Sequence, residues 1–234
     1  MAISIVGTST GFGGANGSVV VVTPTGGASG DLLMVCINNN GTSLVTDNNG
    51  ATPLTLNAAG TYDPVSAAGG VLNILSRVMT GAEPGTLNFT LSSNNRKAAA
   101  AFILRGQDST SEFDIAPGTA FNFESSTNAP SAPGGINTTT DNAWAIAFVG
   151  IDSNLPNWFS GVPTGYTALC GANGSQACSV AYKAITPAGT IAQADFAGTN
   201  NQNNAGMIQF AVRAQATAGT STVVFYKTLL GVGF

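Results

Sequence analysis

NILSRVMTGAEPGT, from Asn73 to Thr86, and SVAYKAITPAGT, from Ser179 to Thr190, are two renderings of one pattern. In each, an apolar run is interrupted near its end by a basic residue, Arg77 or Lys183. The run then enters a turn built on Pro84-Gly85 or on Pro187-Ala188-Gly189. The flanks repeat as well. Downstream, AAAAFILRG (Ala98 to Gly106) matches AGMIQFAVR (Ala205 to Arg213). Upstream, GDLLMVCIN (Gly30 to Asn38) matches DNAWAIAFVG (Asp141 to Gly150). A repeat of roughly a hundred residues is too long for a solenoid unit. It fits one sandwich made of two four-strand halves, or two small β domains.

The repeated runs read as strands. Val19 to Thr23 is β-branched and stops at Pro24, and Leu32 to Ile37 is an apolar block between Gly and Asn clusters, as a buried strand requires. Asn40-Gly41 and Asn49-Gly50 are turn dipeptides. Leu87, Phe89 and Leu91 alternate with Asn88, Thr90 and Ser92, which directs the apolar set to a core. Val71 to Met79 has no polar face, so packing must settle its orientation. Trp144, Ile146 and Phe148 share one face of a later run. Gly106 to Thr140 is the longest irregular stretch. Within it, Phe121 to Phe123 is an edge strand or part of a loop over an open end, and a helix within Glu112 to Phe123 stays open.

No alternation of strands and helices develops, which argues against an α/β fold. The expected class is all-β: a jelly-roll-like β-sandwich of two antiparallel sheets with N- and C-terminal strand extensions. Residues 1–216 are expected to form a single domain with halves at about 18–106 and 138–213. The tail, 217–234, contains STVVFYKTLLGVGF and has no counterpart in the first half. Its apolar residues Val223, Val224, Phe225, Tyr226, Leu229, Leu230 and Phe234 suit an added strand. That strand would pair with Ile3 to Val6 or act as an assembly arm on another subunit.

Charged residues make up 8% of the chain, against about 25% in typical soluble domains. The surface is therefore hydrated through amides and hydroxyls, which suits a chain packed against copies or partners, or displayed on a particle. Seven basic and 11 acidic residues give a net charge of −4 with no basic run, which argues against binding a phosphate backbone. The chain has no His. That excludes His-based acid–base catalysis, Cys–His dyads and imidazole metal sites. MAISIVGTST lacks the basic and apolar regions of a secretory leader. No apolar run approaches about 18 residues, so no membrane span is expected.

No catalytic residue, metal site or cofactor is expected. The carboxylates show no spacing that sequence alone can assign to glycosidase chemistry. GFGGANG, Gly11 to Gly17, lacks the Lys-Ser/Thr of a phosphate loop. Asp108, Glu112 and Asp114 gather hard oxygen ligands without an EF-hand pattern. Cys36 lies in an apolar strand. Cys170 and Cys178 flank GANGSQA, where they could form a disulfide or remain free thiols; their spacing is not a metal signature. The candidate contact residues are Trp158, Phe159 and Tyr166, in WFSGVPTGYTALC. Aromatic side chains in such a setting can stack on a sugar, fill a pocket on a neighbouring subunit, or cap the core.

Taken in order, SGDLLMVCI (Ser29 to Ile37), LNILSRVMTGAEPGTLNFTL (Leu72 to Leu91), AAAFILRG (Ala99 to Gly106), TTTDNAWAIAF (Thr138 to Phe148), GVPTGYTAL (Gly161 to Leu169) and SVAYKAITPAGT resemble a domain of tailed-bacteriophage and prophage structural proteins. The resemblance spans about Ser18 to Arg213. The family's Pro-Gly-Trp turn is replaced by Pro163-Thr164-Gly165-Tyr166 in the second half and by Pro53-Leu54 in the first. The resemblance implies a non-enzymatic virion component, a capsid decoration or a tail or fibre part. Its partners would be other virion proteins and further copies of itself, a trimer among them. The alternative is a carbohydrate-binding or receptor-binding module that takes a host surface glycan through Trp158, Phe159 and Tyr166.

Overall fold

The computed structural model describes residues 2–13, 17–41, 45–50, 53–62, 70–91, 96–127, 129–151, 159–173, 176–198 and 203–216. The fold is all-β with antiparallel sheets. In the first half the strands are β1 (Ser4–Gly13), β2 (Ser18–Val22), β3 (Leu32–Asn40), β4 (Val45–Asp47), β5 (Thr55–Tyr62), β6 (Gly70–Val78), β7 (Thr86–Leu91) and β8 (Lys97–Arg105). They form a five-stranded sheet, β1-β8-β3-β6-β5, and a three-stranded sheet, β2-β7-β4.

The second half runs β9 (Phe113–Thr127), β10 (Ser131–Ala132), β11 (Ile136–Asn137), β12 (Ala143–Ile151), β13 (Phe159–Gly161), β14 (Thr167–Asn173) and β15 (Ala177–Ile185). Then follow β16 (Thr190–Ile191), β17 (Ala194–Asp195), β18 (Ala197–Gly198) and β19 (Asn203–Val212). Its five-stranded sheet, written from the other end, is β9-β19-β12-β15-β14. That is the first sheet strand for strand, with β9 in the place of β1, β19 of β8, β12 of β3, β15 of β6 and β14 of β5. Even an irregularity recurs: β5 skips a residue between Leu56 and Ala58, and β14 between Ala168 and Cys170. The outer layer is broken into short ladders, β10-β17, β11-β16 and β13-β18. Pro133, Gly134 and Gly135 separate β10 from β11, and a proline cannot donate to a ladder.

Alternate residues of each central strand enter different cores. Leu32, Met34 and Cys36 of β3, with Phe102 and Leu104 of β8, join Trp144, Ile146 and Phe148 of β12 and Ile208 and Phe210 of β19 in one cluster between the five-stranded sheets. Leu33, Val35 and Ile37 face the other way, toward Val19, Val21, Leu87, Phe89 and Leu91 of the three-stranded sheet. In the second half, Ala147 and Val149 pack under Ala194 and Phe196, and Ala145 and Ala211 under Ile191. Both five-stranded sheets are thus covered on both faces. This is why their strands carry no polar stripe: strands buried on two sides read as continuous apolar runs. It also settles β6, whose Leu72 and Ile74 face the other half while Leu75 faces the outer layer.

Two expectations change. The described residues form six sheets rather than two, because each half supplies its own covering layer. And β1 is no extension: it pairs along its length with β8, from Ser4 opposite Arg105 to Gly13 opposite Lys97. Gly7 and Gly11 let it lie against Thr25 and Val20 at the sheet margin, where a Cβ would strike their carbonyl oxygens. The stretch read as irregular contains the 15-residue strand β9 and, among its described residues, no helix. Pro117 and Gly118 disguise it. They fall where the pairing with β19 slips, between Ala120–Gln209 and Ile115–Ala211. On an edge strand a bulge tolerates the missing proline N–H.

The sheets meet in reversed order: β1 lies over β14, β8 over β15, β3 over β12, β6 over β19 and β5 over β9. Exchanging each strand for its counterpart returns the same set of contacts, so the halves are related by an approximate two-fold axis along β3 and β12. At one end of that axis Gln107 bridges to Ala214, and Gln215 N–H donates to Gly106 O at 2.8 Å.

Candidate contact site

A cleft of about 480 Å³ opens between β13 and the β14–β15 edge, lined by Ser160, Gly161, Val162, Leu169, Cys170 and Ser179 among others. Chain direction explains its position. β13 starts at Phe159, and the Pro163 turn, closed by Tyr166 N–H donating to Pro163 O at 2.9 Å, returns the chain into β14. The segment that sequence singled out therefore bounds this cleft. Phe159 lies on β13; Trp158 lies outside the described residues. Tyr166 does not stand clear of the surface. It packs against the two clusters under the outer layer, its hydroxyl is buried, and burial raises the phenol to about 12. Its ring lies 6.0 Å from Lys183 Nζ.

Cys170 and Cys178 are both free thiols, as is Cys36. Cys170 stands opposite Val180 and Cys178 opposite Ala172, so the two are diagonal neighbours in the ladder. Diagonal pairs sit about 7–8 Å apart, whereas disulfides span Cα separations of about 4.4–6.8 Å. Burial pushes Cys178 up to about 12 and Cys170 higher still. A thiol that stays protonated is a poor nucleophile, so the cleft offers hydroxyl, backbone and apolar contacts.

Asp114, Asp108 and Asp31 tie neighbouring segments together. Asp114 accepts from the backbone N–H of Thr139 (2.6 Å) and Thr140 (3.2 Å) and from both hydroxyls (2.7 and 2.9 Å). Arg213 lies 3.4 Å away. Burial alone would raise this carboxyl, but the threonine hydrogen bonds outweigh it and hold Asp114 below the usual range. Asp108 accepts from Thr110 and Ser111. Asp31, whose burial is likewise outweighed by hydrogen bonds from Arg105 and Ala28, clamps the Arg105 guanidinium at 2.8 and 2.6 Å. Among the described residues no group of three His, Cys, Asp or Glu is gathered to hold a metal ion.

The arm residues Val223, Val224, Phe225, Tyr226, Leu229, Leu230 and Phe234 lie outside the described residues. The described chain ends at Ala216, beside Ala2, Thr140, Asp141 and Asn142. Sequence reading did not find the exposed apolar side chains of the first half's margin: Phe12 on β1 is 53% exposed, and Val20 and Val22 on β2 are 45% and 57% exposed. The run SVVVV hides them, since only its alternate valines, Val19 and Val21, are buried. No protein-family model, curated protein or solved structure matches the chain. No helix among the described residues is long and apolar enough to cross a membrane.

Proposed function

We propose that the protein is a non-enzymatic structural component of a virion, a capsid decoration or a tail or fibre part, that works by docking on other virion proteins and on its own copies. The strand order of each half carries this reading. In the first half, strands one, eight, three and six lie side by side, and strands two, seven and four form the facing layer. This is the jelly-roll plan of two Greek keys, with the fifth strand added beside the sixth, and jelly rolls serve widely as capsid and lectin domains. The 8% charge content and the exposed Phe12, Val20 and Val22 support a life in contact with other proteins. The tail would add a strand to a neighbour's sheet, and repetition on a particle would multiply weak contacts.

Sedimentation of chains 1–234 and 1–216, with co-sedimentation on virions that lack the protein, tests this. The full chain should form oligomers and join the particles; the truncated chain should stay folded and do neither. A full chain that is monomeric and indifferent to particles would end the proposal. The cleft beside β13 favours a second reading, recognition of a host glycan. A saturable change in tryptophan fluorescence on glycan titration, abolished by Trp158→Ala, would support it.

A further inference from the structure

The face between the halves has the contact pattern of a two-fold dimer, yet its side chains are not the same on the two sides. By the ladder pairings Cys36 corresponds to Phe148: Cys36 is opposite Ile74 and Ala100, Phe148 opposite Val180 and Ile208. Two residues on, Asn38 corresponds to Gly150. These two counterparts meet each other: a Cβ on Gly150 would lie 2.6 Å from Asn38 Cγ and 2.9 Å from its Cβ, and would also strike Leu72 Cδ2. A position that touches its own counterpart lies on the axis. Asn38, fully buried, reaches across it. Its Nδ2 donates to Ala177 O at 2.8 Å and to Ile151 O and Gln176 Oε1 at 3.1 Å each.

We infer that this face is a pairing surface whose one fitting partner is the unlike half of the chain, and that Asn38 against Gly150 makes it so. Two first halves would bring Asn against Asn in a space where a single Cβ already overlaps. Two second halves would bring Gly against Gly and remove the amide that donates to Ile151 O and Ala177 O. The neighbouring positions differ in the same complementary way, with Leu72 matched by Cys178 and Ala100 by Ile208. A chain made of two similar halves is in this way kept from pairing like with like, whether in one molecule or between copies. The inference rests on the ladder register and holds whatever the protein docks on.

The test uses the full chain and five variants: Asn38→Gly, Gly150→Asn, the exchanged pair Asn38→Gly/Gly150→Asn, and Gly150→Ala in both the parent and the Asn38→Gly background. Each single change should lower the unfolding midpoint. The exchanged pair should be more stable than Gly150→Asn, because an asparagine entering from the other side meets Asn39 and Val71, the counterparts of Ile151 and Ala177. Should Gly150→Asn yield no folded protein, Gly150→Ala decides. Its penalty in the folding constant should shrink at least ten-fold once Asn38 is removed. An exchanged pair no better than Gly150→Asn, or equal Gly150→Ala penalties in both backgrounds, would overturn the inference.

Discussion

Phe102 and Phe210 hold equivalent places in the two halves, and truncating each should cost a similar and large amount. Both are fully buried in the cluster between the five-stranded sheets. Phe102 is paired with Met34 on β3, and Phe210 with Ile146 on β12. A Phe→Ala change at such a site costs about 3–5 kcal/mol, from lost transfer energy and the cavity left behind. Phe210 should sit at the upper end. It makes an edge-to-face contact with Phe113, centroids 6.0 Å apart at 73°, which contributes about 0.5–1.5 kcal/mol beyond burial. A chain of ordinary stability, about 5–15 kcal/mol, would lose about a fifth of it or more. With a guanidinium slope of about 4 kcal/mol/M, the midpoint should fall by about 1 M. Trp144, stacked on Tyr182 with centroids 4.2 Å apart, gives a fluorescence signal inside the same core. If either variant stayed within about 1 kcal/mol of the parent, the ring would not be enclosed between the sheets and the packing described above would be wrong.

Stability should be flat between pH 5 and 8, since the chain has no His, and should fall on both sides. Asp31, Glu83 and Asp114 are held below their ordinary values of 3.8, 4.5 and 3.8. Their contribution is present above those values and is lost as acidification passes the lower, folded-state ones. Cys36, Cys170, Cys178 and Tyr166 are raised above 9.0 and 10.0. Their contribution is complete below about pH 9 and is lost as pH rises toward the folded-state values, partly offset by Lys97, which burial lowers. Thermal melts across pH 2–11 check both limbs, and a midpoint falling steeply between pH 5 and 8 would contradict this assignment. Asp114→Asn should cost about 2–3 kcal/mol, because an amide turns hydrogens toward the Thr139, Thr140 and Arg213 donors. Urea unfolding measures it, and a neutral result would mean those contacts add nothing.

Where each pattern was readable follows from burial. Arg77 and Lys183 betrayed the duplication because each interrupts an otherwise apolar strand at the same ladder position, opposite Leu33 and Ala145. The strands themselves were plain, since LLMVCI and AWAIAFVG are buried on both faces. That same double burial erased the alternation that would have told one face from the other, so the number of layers was not readable. β9 was lost to Pro117-Gly118, which signal a break unless the strand is known to lie at an edge. The outer layer of the second half was lost because pieces such as Thr190–Ile191 are too short to show a period. At the site, sequence reads Phe159 as part of a loop, whereas Phe159–Gly161 pairs with β18 as the short strand β13, a piece too short to show a period. Only packing could show that the Tyr166 hydroxyl points inward. The Asn38–Gly150 contact left no local signal at all, because it joins residues whose equivalence appears only after the ladders are aligned.

Amide hydrogen exchange tests the central claim most directly, that two five-stranded sheets lie back to back and are covered on both sides. Amides of β3 and β12, each hydrogen-bonded between two strands and buried on both faces, should exchange only through global unfolding. Those of β2, β4 and the short outer ladders should exchange sooner. Amides of Leu32 to Ile37 or Ala143 to Val149 exchanging as fast as the outer strands would contradict it.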